Sequence, residues 1–127
     1  GSDRADAASL IEKCLDRHAV SPNICDQQGL TALALASRAG NAGIVAMLVS
    51  RRASPTIASN NGNPPLFWAA ACGHLEVAQS LLLMRADVAQ KNVQGDTALL
   101  WAARGGQPKA VGMLLDAGAS AADSNVQ

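Results

Sequence analysis

The chain has 127 residues, which is enough for one compact domain or a short array of repeats. Apolar residues make up 49% of it, a share that excludes a disordered polar chain. Ten basic and ten acidic residues cancel to a formal charge of zero, which disfavours electrostatic binding to nucleic acid or to anionic lipid.

The N-terminal segment shows no targeting signal and contains one predicted helix. Gly1-Ser2 resembles the remnant of a cleaved tag, so the sequence is expected to be a fragment of a longer protein. Residues 9–19 place apolar side chains at helical spacing and are predicted to form a capping helix or the end of a partial repeat. Cys14 and His18 are four residues apart, but no third ligand accompanies them, so a metal site is not predicted.

A period of 33 residues runs through the rest of the chain, and it is marked first by Gly29, Gly62 and Gly95. Further positions keep one residue type in all three copies: Leu33, Leu66 and Leu99; Ala36, Ala69 and Ala102; Gly40, Gly73 and Gly106; Leu48, Leu81 and Leu114; Ala53, Ala86 and Ala119. This recurrence predicts a solenoid of stacked repeats, because no single copy has enough apolar surface to fold alone.

Each copy contains the same predicted elements in the same order. A turn around the first glycine comes first, because glycine readily adopts the positive φ that a tight turn requires. An alanine-rich helix follows, with Thr31 and Thr97 as N-caps and Pro64-Pro65 at the start of the middle copy. A second glycine ends this helix, and a second helix with apolar residues at helical spacing completes the copy.

The predicted repeats occupy residues 26–58, 59–91 and 92–124. Residues 1–25 hold the tag remnant and the partial N-terminal repeat or capping helix. Residues 125–127 are predicted to begin a truncated following repeat, because Asn125-Val126-Gln127 repeats the sequence that starts at Asn92.

The repeated pattern resembles the ankyrin-repeat family. "GNPPLFWAAACGHLEVAQSLLLMRADV" (62–88) carries the resemblance best, and "GDTALLWAARGGQPKAVGMLLDAGAS" (95–120) comes next. The resemblance covers Asp26 to Ser124, with a partial match before it. It implies an all-α solenoid of stacked helix-turn-helix units with β-hairpin-like turns, and a protein-interaction module that is not an enzyme.

Two departures from the family pattern bear on stability. Ala34, Phe67 and Leu100 stand where the family has a histidine, and Phe67 is predicted to be buried in the core. Arg52 and Arg85 stand where the family has a glycine after the second helix. If these arginines are left-handed, each should cost about 1 kcal/mol, so a fold of modest stability is expected.

No catalytic or cofactor-binding arrangement is predicted. His74 is expected to hydrogen-bond nearby backbone rather than to act as a ligand or a base. Cys72 has two interpretations: an inert filler, which is preferred, or a partly exposed reactive thiol. The chain has no phosphate-binding loop and no triad-like spacing, so neither an enzymatic activity, a metal nor a cofactor is expected.

The predicted partner-binding surface combines the turns with the first helices, which the resemblance places on a concave face. Its predicted contact residues are Leu35, Arg38, Trp68, Ala71, Trp101 and Arg104 on the helices, and Gln28, Leu30, Asn61, Asn63, Gln94 and Asp96 on the turns. Leu35, Trp68 and Trp101 share one register. Two interpretations remain for the tryptophans: packing between repeats, or a partly exposed binding ladder, which is preferred because tryptophan often dominates binding energy.

The predicted partner is a peptide or protein surface with apolar anchors and some acidic character, since arginine beside an aromatic ring can bind a carboxylate. The alternative is a structural role, either in self-association through the terminal repeat or as a segment of a longer array, because the last second helix lacks a charged outer face. Neither nucleic acid nor membrane insertion is predicted. Three cysteines that form no disulfide framework favour an intracellular location, cytoplasmic or nuclear.

Overall fold

A computed structural model describes residues 23–124, with side chains described up to residue 118. It contains six α-helices: α1 Ala32–Ala39, α2 Ala42–Ser50, α3 Pro65–Cys72, α4 Leu75–Leu83, α5 Ala98–Arg104 and α6 Pro108–Ser124. This part of the chain has no β-strand, and one isolated bridge joins Cys25 to Thr31. The all-α prediction is confirmed. The predicted helix at 9–19, with Cys14 and His18, lies outside the described residues.

The helices stack as pairs in two rows, with one pair in each of the three predicted repeats. The first helices α1, α3 and α5 pack against one another in order, and so do the second helices α2, α4 and α6. Both rows contribute to the buried core, through Leu33 and Leu66 from the first helices and Leu48 and Leu81 from the second. Because each pair is covered mainly by its neighbours, the chain is a repeat solenoid as the period predicted.

The helix starts follow the sequence signals. The Thr31 hydroxyl oxygen accepts a hydrogen bond from the backbone N–H of Ala34, and Thr97 does the same for Leu100, so both predicted N-caps are confirmed. Helix α3 has no side-chain cap and begins instead with proline at its first position, where a missing N–H loses no helical bond.

The turns before the first helices join neighbouring repeats through their backbones. Gly29, Gly62 and Gly95 have φ values of 79°, 83° and 82°, as expected for tight turns. The N–H of Asn60 donates to the carbonyl oxygen of Gln28 at 2.9 Å, and the N–H of Val93 donates to that of Asn61 at 3.0 Å. These bonds fix the register of one turn against the next.

The ends of α2 and α4 carry the predicted left-handed arginines. Arg52 and Arg85 have φ values of 66° and 69°, which L-residues rarely adopt. The alanine after each arginine donates its N–H back into the helix. Ala53 donates to the carbonyl oxygen of Leu48, and Ala86 donates to that of Leu81, both at 3.0 Å. Helix α6 differs, because it continues through Gly118, the third residue of this register, without a left-handed turn.

Candidate partner-binding surface

An open depression of about 340 Å³ lies on the face formed by the turns and the first helices. Five of its lining residues come from the first two described turns, and one each from α1 and α3. They are Gln28, Leu30, Ser59, Asn61, Asn63, Arg38 and Trp68. The depression therefore spans the boundary between two repeats, and six of these seven residues were predicted as partner contacts; Ser59 was not. The only sequence signal for Ser59 was that it occupies the same register of the turn as Asp26 and Asn92.

The three aromatic residues form one cluster between α3 and α5. Trp68 and Trp101 meet edge to face, with ring centroids 5.4 Å apart and planes at 85°, and the Phe67 ring lies 5.3 Å from that of Trp101. Phe67 is 1% exposed, so its predicted place in the core is confirmed. Both tryptophans are half-buried and pack against the core, while Trp68 alone of the two lines the depression. Both rings therefore pack between repeats, as the first interpretation predicted. A binding role for the partly exposed Trp68 stays a prediction.

The indole nitrogens of both tryptophans are buried without a hydrogen-bond partner in the described part of the chain. A buried N–H that loses water and gains no acceptor destabilises the fold by about 1–3 kcal/mol. This cost offsets part of the stabilisation gained by burying the two rings. No sequence pattern indicates that the indole N–H groups lack a partner.

The two arginines of the predicted surface have different environments. The guanidinium carbon of Arg38 lies 5.7 Å from the centre of the Trp68 ring, a cation–π contact across the repeat boundary. Nη1 of Arg104 donates to Oδ2 of Asp96 at 2.9 Å within its own repeat. Arg38 is therefore part of the depression, whereas Arg104 is engaged by a carboxylate of the chain itself.

Three of the predicted contact residues are buried, which corrects the expectation that they are available to a partner. Leu35 is 6% exposed and Leu30 is 4% exposed, because both belong to the core cluster. Asn63 is 5% exposed, and its side-chain oxygen accepts a hydrogen bond of 2.9 Å from Nδ2 of Asn92 in the next turn. Leu30 and Asn63 form walls of the depression, while Leu35 does not line it at all.

The remaining predicted contacts lie mostly on the surface. Gln28, Asn61 and Gln94 are exposed turn residues. Ala71 is half-buried, and its carbonyl oxygen accepts a bond of 3.4 Å from Nε2 of Gln107. The structure brings Gln28 and Asn61 together around the depression, while Gln94 does not line it.

Cys72 is the last residue of α3, and His74 lies in the turn between α3 and α4. Nε2 of His74 lies 3.1 Å from the carbonyl oxygen of Arg38, which confirms the predicted bond to backbone and extends it across a repeat boundary. Cys72 is a free, exposed cysteine, so the preferred interpretation of its side chain as a space-filling residue is wrong, while its reactivity stays a prediction. It precedes the left-handed Gly73 that ends the helix.

Residues 23–118 contain no group of three or more histidine, cysteine, aspartate or glutamate side chains that could hold a metal ion. None of the helices in the described region combines the length and the apolar character needed to cross a bilayer.

Two family models match the chain. The model described as "Ankyrin repeats (3 copies)" matches residues 4–92, and the model described as "Ankyrin repeat" matches residues 94–127. No curated protein matches the chain. The two matched ranges together contain every residue of the depression and of the aromatic cluster.

Proposed function

The chain belongs to the ankyrin-repeat family, whose members are generally protein–protein interaction modules, and we propose that it binds a peptide or protein segment across the depression between its first two described repeats. The observation that carries this proposal is the composition of the depression. It combines a half-buried tryptophan, an exposed arginine and exposed turn amides on one open face.

These residue types suit recognition of another chain. A tryptophan packed against the core offers a large rigid surface to a partner at little further entropic cost. Gln28 and Asn61 make no side-chain hydrogen bond within residues 23–118, so their amides have both donors and an acceptor free for a peptide backbone. The partner would thus gain an apolar contact from Trp68 and directional bonds from the turns.

We predict that the double substitution Gln28→Ala and Asn61→Ala weakens binding by about 5- to 150-fold, because each lost hydrogen bond contributes about 0.5–1.5 kcal/mol. The probe is a fluorescent peptide selected on the wild-type protein from a random displayed library, and the readout is fluorescence anisotropy. Far-UV circular dichroism should stay unchanged, since both side chains are exposed.

Gln79→Ala is the matched control, because Gln79 is an exposed glutamine on α4 that does not line the depression. Its affinity for the same peptide should stay within about twofold of the wild-type value. Unchanged binding by the double variant, or an equal loss in the control, would exclude the depression as the binding surface. A library that yields no binder would contradict the proposed function itself.

A second candidate function is self-association through the C-terminal end of the array. In the first two described repeats, certain positions are covered by the repeat that follows. The equivalent positions of the third repeat are not covered by any described residue. A Cβ added to Gly29 would meet Asn60 within 2.6 Å, whereas one added to Gly95 meets no described atom within 4 Å. Leu100 is 39% exposed, although Ala34 in the same register is 2% exposed. A second copy of the chain could cover this face as a further repeat would.

Leu100→Glu is expected to abolish such self-association, because a carboxylate would lose its water when the face is covered. Multi-angle light scattering over a hundredfold range of concentration measures the effect. The wild type should increase in average mass with concentration, and the variant should stay a monomer. A wild type that is monomeric at every concentration excludes this second function.

A further inference from the structure

The C-terminal ends of the first helices α1, α3 and α5 differ in whether they carry an arginine that is free to bind a ligand. Arg38, Ala71 and Arg104 occupy one register, at spacings of 33 residues. The middle repeat has no cation there, and in the third repeat Asp96 binds the guanidinium of Arg104. Arg38 makes no ion pair within the described part of the chain. The array therefore presents one available guanidinium in this row.

The difference between Arg38 and Arg104 has a cause in the turns. Asp96 stands eight residues before Arg104, and the residue eight positions before Arg38 is Leu30. Leu30 is buried in the core and offers no acceptor. The same geometry that pairs the arginine in the third repeat therefore leaves the arginine of the first described repeat without a carboxylate.

An aromatic ring lies beside Arg38. Its guanidinium carbon lies 5.7 Å from the centre of the Trp68 ring, which itself packs against the core. A guanidinium above a ring keeps the N–H donors in its own plane available to an acceptor. The arrangement reduces the entropy that the side chain would lose on binding a ligand.

The other residues of the depression add donors but no negative charge. Gln28, Asn61 and Ser59 contribute neutral polar groups, and none of the seven lining residues is acidic. The net charge of the lining is thus +1, from Arg38 alone. A depression with one unpaired guanidinium beside an aromatic ring and with uncharged amide donors is complementary to an anion with planar, twofold acceptor geometry.

We propose that this depression is a carboxylate-binding subsite, in which Arg38, held over Trp68, binds the side chain of an aspartate or glutamate within an extended peptide segment. Gln28 and Asn61 donate to the same carboxylate or to the peptide backbone beside it. This inference rests on the proposed function, because it names the chemistry of the partner at the same surface.

Selection of peptides tests the inference without a known partner. A library of random peptides fused at their C-termini, so that no terminal carboxylate is presented, is selected separately on the wild type, on Arg38→Gln and on Arg104→Gln. Aspartate or glutamate should be enriched about fivefold or more at one peptide position with the wild type and with Arg104→Gln. The enrichment should disappear with Arg38→Gln.

The matched variant makes the outcomes separable. Arg104→Gln removes the same charge from the same register, but its guanidinium is already bound to Asp96. Peptides selected without acidic enrichment would overturn the subsite and leave the proposed function standing. Equal loss of enrichment in both variants would also overturn the subsite, since the enrichment would then depend on the overall charge of the protein and not on Arg38. If no peptide is selected by any variant, the proposed function fails and the subsite with it.

A double-mutant cycle measures the contact directly. The best wild-type peptide and its Glu→Gln counterpart are titrated against the wild type and against Arg38→Gln. We expect the peptide substitution to weaken binding to the wild type about tenfold, and to the variant by less than about twofold. The wild-type affinity should fall as salt is raised, because the site is open to solvent. An equal effect of the peptide substitution on both proteins would refute the proposed contact.

Discussion

Replacing Phe67 by alanine is expected to lower the free energy of unfolding by about 3–5 kcal/mol. The Phe67 ring is 1% exposed and lies 5.3 Å from that of Trp101, so its removal leaves a cavity between α3 and α5 and ends one aromatic contact. Many residues of the buried core are alanines, whose side chains are too short to fill that space. Urea denaturation followed by circular dichroism measures the change, and it should approach the total stability of a marginal array.

Leu100→Ala is the matched control for Phe67→Ala, because Leu100 occupies the same register in the next repeat and is 39% exposed. Its substitution should cost about 1 kcal/mol or less, since much of its apolar surface already faces solvent. Equal costs for the two variants would contradict the burial that distinguishes the two positions. A cost below about 1 kcal/mol for Phe67→Ala would show that Phe67 is not a core residue.

The double variant Arg52→Gly and Arg85→Gly is expected to be more stable than the wild type by about 1 kcal/mol. Both arginines have positive φ, with values of 66° and 69°, and both side chains are exposed. Glycine adopts this conformation without the clash between Cβ and the carbonyl oxygen. The strain energy relieved in this way at the two positions outweighs the greater conformational entropy of glycine in the unfolded chain. Differential scanning calorimetry should show the midpoint of unfolding rising by about 3–6 °C.

Arg51→Gly provides the control for this pair, because Arg51 is the exposed neighbour of Arg52 and has a φ of −96°. Glycine relieves no strain at that position, so the variant should lose about 0.5–1 kcal/mol. If glycine at 51 and at 52 changed stability in the same direction, the left-handed conformation would not be the reason for the effect.

Much of the fold could be predicted because it depends on local rules that repeat. The N-caps at Thr31 and Thr97 follow from one residue and its nearest neighbours in the chain. The left-handed conformation of Arg52 and Arg85 was raised only by the resemblance, because the family has glycine at this position. The period adds the long-range part, since residues at one register must occupy equivalent places in successive repeats. The burial of Phe67 followed in the same way from the register of a family histidine.

The candidate site was less predictable, because equivalent register does not mean equivalent surroundings. Leu35 shares a register with Trp68 and Trp101, yet it is buried and makes no part of the depression. Asn63 was predicted to contact a partner from a turn, and instead it is buried and its side-chain oxygen accepts a hydrogen bond from Asn92 of the next turn. Such differences depend on which side chain the neighbouring repeat contributes, and the period does not contain that information.

The sequence by itself determined the repeat, the helix pairs and the caps, because each of these depends on backbone preferences within a few residues or on strict recurrence. Only the tertiary structure decided which cation remains available. Arg38 and Arg104 have the same residue type and the same register, but Asp96 neutralises one of them and Trp68 supports the other. Electrostatic complementarity depends on distances between side chains from different turns and helices, and those distances exist only once the repeats have stacked.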